Sequence, residues 1–379
     1  MLSTTLLHSA RLILWSTAVL ALPLGLAAQD RDTILKKDGK HKTKVLIVKL
    51  DRDMISYKSR GKDFTIKSDL VSGYRFGSAP DAYTRGLSAS SRENHVAAAK
   101  LFDEASKATK VDVVKQAAIF FAGRSFALAS LKDATHSNNA VANLQAYLTA
   151  TPNGYYMPEA KVRLAQTSLA GGDATGAETM LKAIETEAVS GNWELFWPVL
   201  IKYTLARAQY EQKKFSDARF SFQAVDGVVA TALGQGTKYN SQLATLKTEA
   251  LVRQGETYIG EKMYDDALGY YQTLAGNNTR GVRAAALAGQ GQILYIQGVD
   301  KNDETKLRQA QNELAKASIE PDTSDPTSAK ALFYMGKVLS ALGDKEKGSL
   351  GRAKTYYTAV RKNYGATEWA ARARKELEG

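Results

Sequence analysis

Gln254-Gly255-Glu256-Thr257-Tyr258, followed by Tyr264-Asp265-Asp266-Ala267-Leu268-Gly269-Tyr270-Tyr271, is the stretch on which the fold turns. It sets a small residue, Ala267, four positions before a large aromatic, Tyr271, and seven before an apolar one, Leu274. On a helix the i, i+4 and i+7 positions share a face, so these three form one buried stripe, and the alanine lets a second helix come close. The same triplet recurs as Ala98/Phe102/Ala105, Ala140/Leu144/Tyr147, Ala177/Leu181/Ile184 and Ala218/Phe222/Val225 before it. Ala310/Leu314/Ala317 and Ala353/Tyr357/Val360 follow it. The seven alanines are separated by 42, 37, 41, 49, 43 and 43 residues. A near-constant period of this size marks an array of helix pairs, none of which can bury its apolar face alone.

Gln254-Gly255, Tyr258, Ala267 and Tyr271 resemble the tetratricopeptide (TPR) pattern, L-G-x-x-Y and then A-x-x-x-F, and Phe215-Ser216-Asp217-Ala218 repeats its turn one unit earlier. The resemblance implies a mainly α protein, a right-handed TPR-type α-solenoid of about seven helix pairs over residues 79–379. Residues 366–378, with Trp369, Ala373 and Leu377 on one stripe, are expected to cap the last pair. From the small residue of each first helix to the alanine of the second, four units count 12 residues. The units at Ala140, Ala310 and Ala353 count 17, 19 and 17, and longer helices or surface loops are expected to absorb the extra polar residues.

Upstream, the period changes. Thr33-Ile34-Leu35, Val45-Leu46-Ile47-Val48, Met54-Ile55-Ser56-Tyr57, Phe64-Thr65-Ile66 and Val71–Phe76 are short apolar runs separated by turn signals such as Lys37-Asp38-Gly39-Lys40 and Arg60-Gly61. Five strands in so short a span predict a small β-barrel over residues 29–78. The pattern resembles the SH3-like or Sm-like barrels appended to exported bacterial repeat proteins. Residues 1–28 read as a cleaved signal peptide: His8 and Arg11, an apolar run from Leu12 to Leu26 interrupted at Pro23 and Gly25, then Ala27-Ala28. An uncleaved membrane anchor is the alternative reading. The expected location is the bacterial periplasm.

The chain has no cysteine, which excludes disulfides, thiol nucleophiles and Cys-ligated zinc. His41, His95 and His136 stand without a second ligand at helical or loop spacing, and no H-E-x-x-H, phosphate-binding glycine loop or G-x-S-x-G elbow occurs. Asp300-Lys301-Asn302-Asp303-Glu304 lacks the turn glycine and closing glutamate of a cation loop. No cofactor, no metal and no catalysis are expected.

Charge divides unevenly. Of the net +12, one comes from residues 1–28, six from 29–78 and five from the remainder. Residues 29–78 hold thirteen Lys or Arg against seven Asp and no Glu, and Lys36, Lys37, Lys40, Lys42 and Lys44 crowd one hairpin. These lysines read either as protection of a strand edge or as a patch for an anionic polymer, a membrane surface or an acidic protein. Export, and the lack of interleaved aromatics, argue against nucleic acid.

In TPR proteins the first helices of successive units line a groove in which peptides or partner helices dock. Residues following the small first-helix positions, Arg124, Gln166, Arg207, Glu256, Gln292 and Lys337, are expected to point into it. Phe120, Tyr203, Tyr210, Tyr295 and Phe333 flank them one turn away. Such a row fits a protein partner, with Tyr203, Arg207 and Tyr210 expected at its centre and free of any role in the core. The run from Tyr356-Tyr357 through Asn363-Tyr364 to Trp369-Ala370 looks like repeats in cell-envelope assembly proteins. Two functions are therefore expected: a periplasmic scaffold holding a protein in this groove, or an envelope-attachment protein whose basic β-barrel binds an anionic polymer or membrane surface with the solenoid as spacer.

Overall fold

In the computed structural model, residues 32–378 are described except 132, 235–238, 277–280, 322 and 366; the leader expected over 1–28 lies outside the described residues. Five strands come first: β1 (Asp32–Lys36), β2 (Lys42–Leu50), β3 (Met54–Ser59), β4 (Lys62–Lys67) and β5 (Val71–Arg75). They form one antiparallel sheet in the order β4-β3-β2-β1-β5. The sheet is open. β4 and β5 are its edges, where a closed barrel was expected. Closure requires the end strands to exchange backbone hydrogen bonds, whereas β4 is almost wholly exposed and a single 3₁₀ turn, Ser68–Leu70, joins it to β5.

The hairpin between β3 and β4 has positive φ at both central residues, Arg60 (52°) and Gly61 (78°), as a type I′ turn requires. Asp32 is buried and accepts hydrogen bonds from the backbone N–H of Ile47 and of Gly77, each at 2.8 Å, so one carboxylate ties β1 to β2 and to the exit of β5.

Fifteen helices follow among the described residues: α1 (Asp81–Ser91), α2 (His95–Ala108), α3 (Asp112–Ser130), α4 (Ser137–Ala150), α5 (Met157–Ala170), α6 (Ala174–Ser190), α7 (Phe196–Glu211) and α8 (Phe215–Gly234). Then come α9 (Asn240–Gly260), α10 (Tyr264–Ala275), α11 (Val282–Asp300), α12 (Glu304–Ile319), α13 (Asp325–Leu342), α14 (Ser349–Asn363) and α15 (Glu368–Glu378). The chain forms two compact units, residues 32–197 and residues 198–378.

In the first unit the sheet does not stand alone. Its core of Ile34, Val45, Ile47, Ile55, Tyr57 and Val71 is covered by Val113 of α3 and by Tyr155. The loop between α4 and α5 adds main-chain bonds to the β2–β3 turn: Arg52 N–H donates to Asn153 O at 2.8 Å, and Tyr155 N–H to Leu50 O at 3.0 Å. Aromatic packing continues from Tyr74 through Tyr156 to Phe120, whose ring lies parallel to that of Tyr156 at 4.1 Å.

All seven triplets are buried in the pairs they define. Small first-helix residues receive the large residue of a second helix. A Cβ placed on Gly86 would meet Phe102 at 2.9 Å, one on Gly123 would meet Leu144 at 2.9 Å, and one on Gly336 would meet Tyr357 at 2.5 Å. Tyr271 is held from two sides, by Gly255 of α9 and Gly289 of α11. These are TPR-like helix pairs, with α15 last: Trp369 and Ala373 are buried and Leu377 packs against the same cluster. The longer links become a 3₁₀ turn at Ala134–His136, the 19-residue helix α11, and a 3₁₀ turn at Gly343–Lys345.

First helices end alike. Glu93 (φ 58°), Gly172 (91°), Lys213 (61°), Lys262 (60°) and Asn302 (49°) each adopt the left-handed conformation just after a first helix. The next residue often caps the second helix: Asn94 accepts from Ala97 N–H, Asp173 from Gly176 N–H and Asp303 from Lys306 N–H. Asp303 thus serves as a cap within the acidic run 300–304.

Candidate partner-binding site

The helical faces hold charge at their centres. In the unit of residues 32–197, α3 contributes Arg124 and α5 contributes Glu159, Arg163 and Gln166. Arg124 Nε lies 3.0 Å from Glu159 Oε1, Arg163 Nη2 lies 3.3 Å from the same oxygen, and Arg163 Nη1 donates to Gln166 Oε1 at 2.9 Å. Two guanidiniums therefore share one carboxylate. Burial lowers the Arg163 pKa, and Glu159 opposes that shift.

In the unit of residues 198–378 a longer cluster runs over α7, α9, α13 and α15. Tyr203 O–H donates to Glu249 at 2.6 Å. Arg253 reaches Glu256 at 2.7 Å, and Glu256 reaches Lys330 at 3.5 Å. That last pair joins α9 to α13, while α11 packs against both. Lys330 Nζ lies 6.0 Å from the centre of the Trp369 ring, and Lys337 meets Glu376 at 3.1 Å. Burial alone would raise the Glu256 carboxyl, but Arg253 and Lys330 together hold it below the usual glutamate range. Burial depresses Lys330, with Glu256 opposing.

Glu249 differs. Burial raises its pKa above the ordinary 4.5, only partly offset by the Tyr203 hydrogen bond and by Arg253 and Arg207. A carboxyl with a raised folded-state pKa contributes stability that is complete below its unfolded pKa and lost as pH rises through the folded value. The native chain should therefore lose stability relative to Glu249→Gln as pH rises from about 4.5 toward neutrality, read by urea unfolding of both proteins. A relative gain over that window would contradict the assignment.

Three of the aromatics expected to flank a groove belong to the core instead. Phe120, Tyr203 and Phe333 are 0%, 1% and 6% exposed. Each precedes a small residue (Gly123, Ala206, Gly336) by three, and i, i+3 positions share a face, so each points where the small residue points: into the packed pair. Arg207 is also buried, at 5% exposure, and so is Gln166. Tyr203 and Arg207 are thus not free of the core, and removing them with Tyr210 would damage the fold. In the unit of residues 198–378 the accessible part of the row is Tyr210, Gln292, Tyr295 and Lys337, all intermediate in exposure, with the edge of Glu256. Gln292 Oε1 is buried and accepts no hydrogen bond among the described residues.

Glu249, Arg253 and Lys330 were not expected here. On α9 a signal existed: Glu249, Arg253 and Glu256 follow at i, i+4 and i+7, a charged stripe in place of an apolar one. Lys330 precedes Lys337 by two helical turns. Of the basic hairpin, Lys36 pairs with Asp38 at 2.8 Å, whereas Lys37, Lys40, Lys42 and Lys44 are exposed.

The tetratricopeptide repeat family model matches residues 249–278, the end of α9 and all of α10. No curated protein matches the chain. Among solved structures, a Rap protein complexed with competence and sporulation factor is 14% identical, with 78% of this chain and 72% of that chain covered and a TM-score of 0.43. The apo form of RapI is 10% identical over 78% of this chain and 74% of that one, with a TM-score of 0.44. The apo quorum sensor NprR from B. thuringiensis is 12% identical over 78% and 85%, with a TM-score of 0.49.

Proposed function

We propose that this protein is a scaffold that holds a protein or peptide partner against the first helices of its C-terminal unit, and that it is not an enzyme. The observation that carries this reading is the partly exposed row of Tyr210, Gln292, Tyr295 and Lys337 on the first helices α7, α11 and α13. The amide and ammonium groups of such a row exchange hydrogen bonds with a bound peptide's backbone. Tyr295, three residues beyond Gln292, and Tyr210 offer partly exposed rings of the kind that anchor partners. The site of action we assign is the bacterial envelope, on the strength of the apolar leader and its small-residue exit.

Photo-crosslinking tests this reading. A photoreactive side chain at Tyr295 should give a discrete adduct in envelope extract, while the same group at the exposed Asn312 of α12 should give none. Identical adducts from both positions, or none from Tyr295, would overturn the assignment. Gln292→Leu, which removes the acceptor while keeping bulk, should weaken the Tyr295 adduct about 10-fold or more and leave thermal stability unchanged or raised.

A further inference from the structure

We propose that the outer face of the N-terminal sheet docks on an anionic lipid bilayer. Among the described residues, most acids of this region are already committed, the exposed Asp69 excepted. Asp38, Asp51, Asp53 and Asp63 pair with Lys36, Lys49, Arg52 and Lys58, and Asp32 is buried under two backbone donors. Lys37, Lys40, Lys42, Lys44, Arg60 and Lys62 remain exposed, without an ion pair among the described residues.

Edge protection does not account for them all. Lysines guard strands with an unpaired side, as Lys42 and Lys44 can where β2 is bonded to β1 alone, β3 pairing it only from Leu46 onward, but Lys37, Lys40 and Arg60 lie in turns outside the strands. β2 exposes aliphatic side chains as well. Val45 and Ile47 point into the core, so Leu46 and Val48 point out, at 46% and 49% exposure. Leu46 lies opposite Lys58 on β3. Aliphatic side chains exposed on the strand that also carries Lys42 and Lys44 match the boundary between head groups and acyl chains, where charge attracts and apolar surface inserts. A soluble polyanion would draw on the lysines and leave Leu46 and Val48 without a role.

The test is co-sedimentation of the full chain with phosphatidylcholine vesicles, with and without phosphatidylglycerol. Because the apolar leader can bind either kind, the reading is the ratio of the two partition coefficients. That ratio should be large at low salt and fall steeply at high salt. Changing Lys37, Lys40, Lys42 and Lys44 to Gln should reduce it by roughly 100-fold or more, with the circular dichroism spectrum preserved. The same loss of charge at Lys110, Lys354, Lys362 and Lys375, all exposed on or beside helices, should leave it within about twofold. Leu46→Ser with Val48→Ser should lower binding to phosphatidylglycerol vesicles beyond what the salt series accounts for. Equal losses from the two lysine sets, or a ratio near one for the native chain, would overturn the proposal. So would retention on soluble dextran sulfate without any preference for phosphatidylglycerol.

Discussion

Glu256→Ala should destabilise the unit of residues 198–378 by about 3 kcal/mol, the cost of leaving buried cations without their anion. Arg253 and Lys330 both face this carboxylate, and the Glu256 and Lys330 side chains are only 17% and 7% exposed. The loss should be smaller in the double variant Glu256→Ala with Lys330→Met, since the second change removes one stranded charge and leaves an apolar chain beside Trp369. Urea unfolding of the native, two single and double variants closes the cycle, with an expected coupling of about 1–3 kcal/mol. Additive losses would mean that Glu256 and Lys330 do not act as a pair. Because burial already depresses Lys330, the Glu256→Ala protein should recover part of its stability at alkaline pH, where Lys330 sheds its proton.

Tyr271→Ala should cost more, about 3–5 kcal/mol, the range for deleting a fully buried aromatic side chain. Tyr271 is completely enclosed, its ring set between Gly255 and Gly289 and its O–H donated to Val252 O at 3.0 Å. Two glycines shaped around one ring cannot close the space it leaves. Tyr271→Phe, which keeps the ring and loses only the hydrogen bond, should cost about 1 kcal/mol, and Ala267→Leu, which overfills the same contact, about 1–3 kcal/mol. Thermal unfolding should show the largest loss for Tyr271→Ala, then Ala267→Leu, then Tyr271→Phe. A Tyr271→Ala protein as stable as Tyr271→Phe would show that the ring is not a wedge between helices.

The repeat was legible because its signal is local and redundant. Ala, large apolar and apolar at i, i+4 and i+7 need only helical geometry to share a face, and the triplet occurs seven times. The five strands were legible for the same reason, with a period of two bounded by turns. The turns between paired helices were only half legible. Of the five left-handed residues that end first helices, one is glycine and one asparagine; Glu93, Lys213 and Lys262 take that conformation without the residue types that announce it.

The exposure of the polar row was legible only in part. Of the residues one position past the small residue, Glu256, Gln292 and Lys337 stay partly exposed while Gln166 and Arg207 are buried, and the aromatics three positions before it belong to the core because i−3 shares the face of the small residue itself. Burial of Arg207, Gln166 and Lys330 could not be read at all. A charged residue enters a protein only where a partner on another helix compensates it, and that partner is distant in sequence: Glu249 lies 46 positions from Tyr203, and Lys330 is 74 positions from Glu256.

By itself, then, the sequence determined the helix pairs, the alternation of small and large residues that packs them, and the strands with their excess of lysine, all of which follow from periodicity within a few turns of chain. Only the tertiary structure decided that the sheet stays open, that the loop before Tyr155 ties it to α4 and α5, and which members of the polar row lie under cover. Those outcomes depend on strand edges and side chains brought together from far apart, and a distance in space between such residues leaves no period in the chain that encodes them.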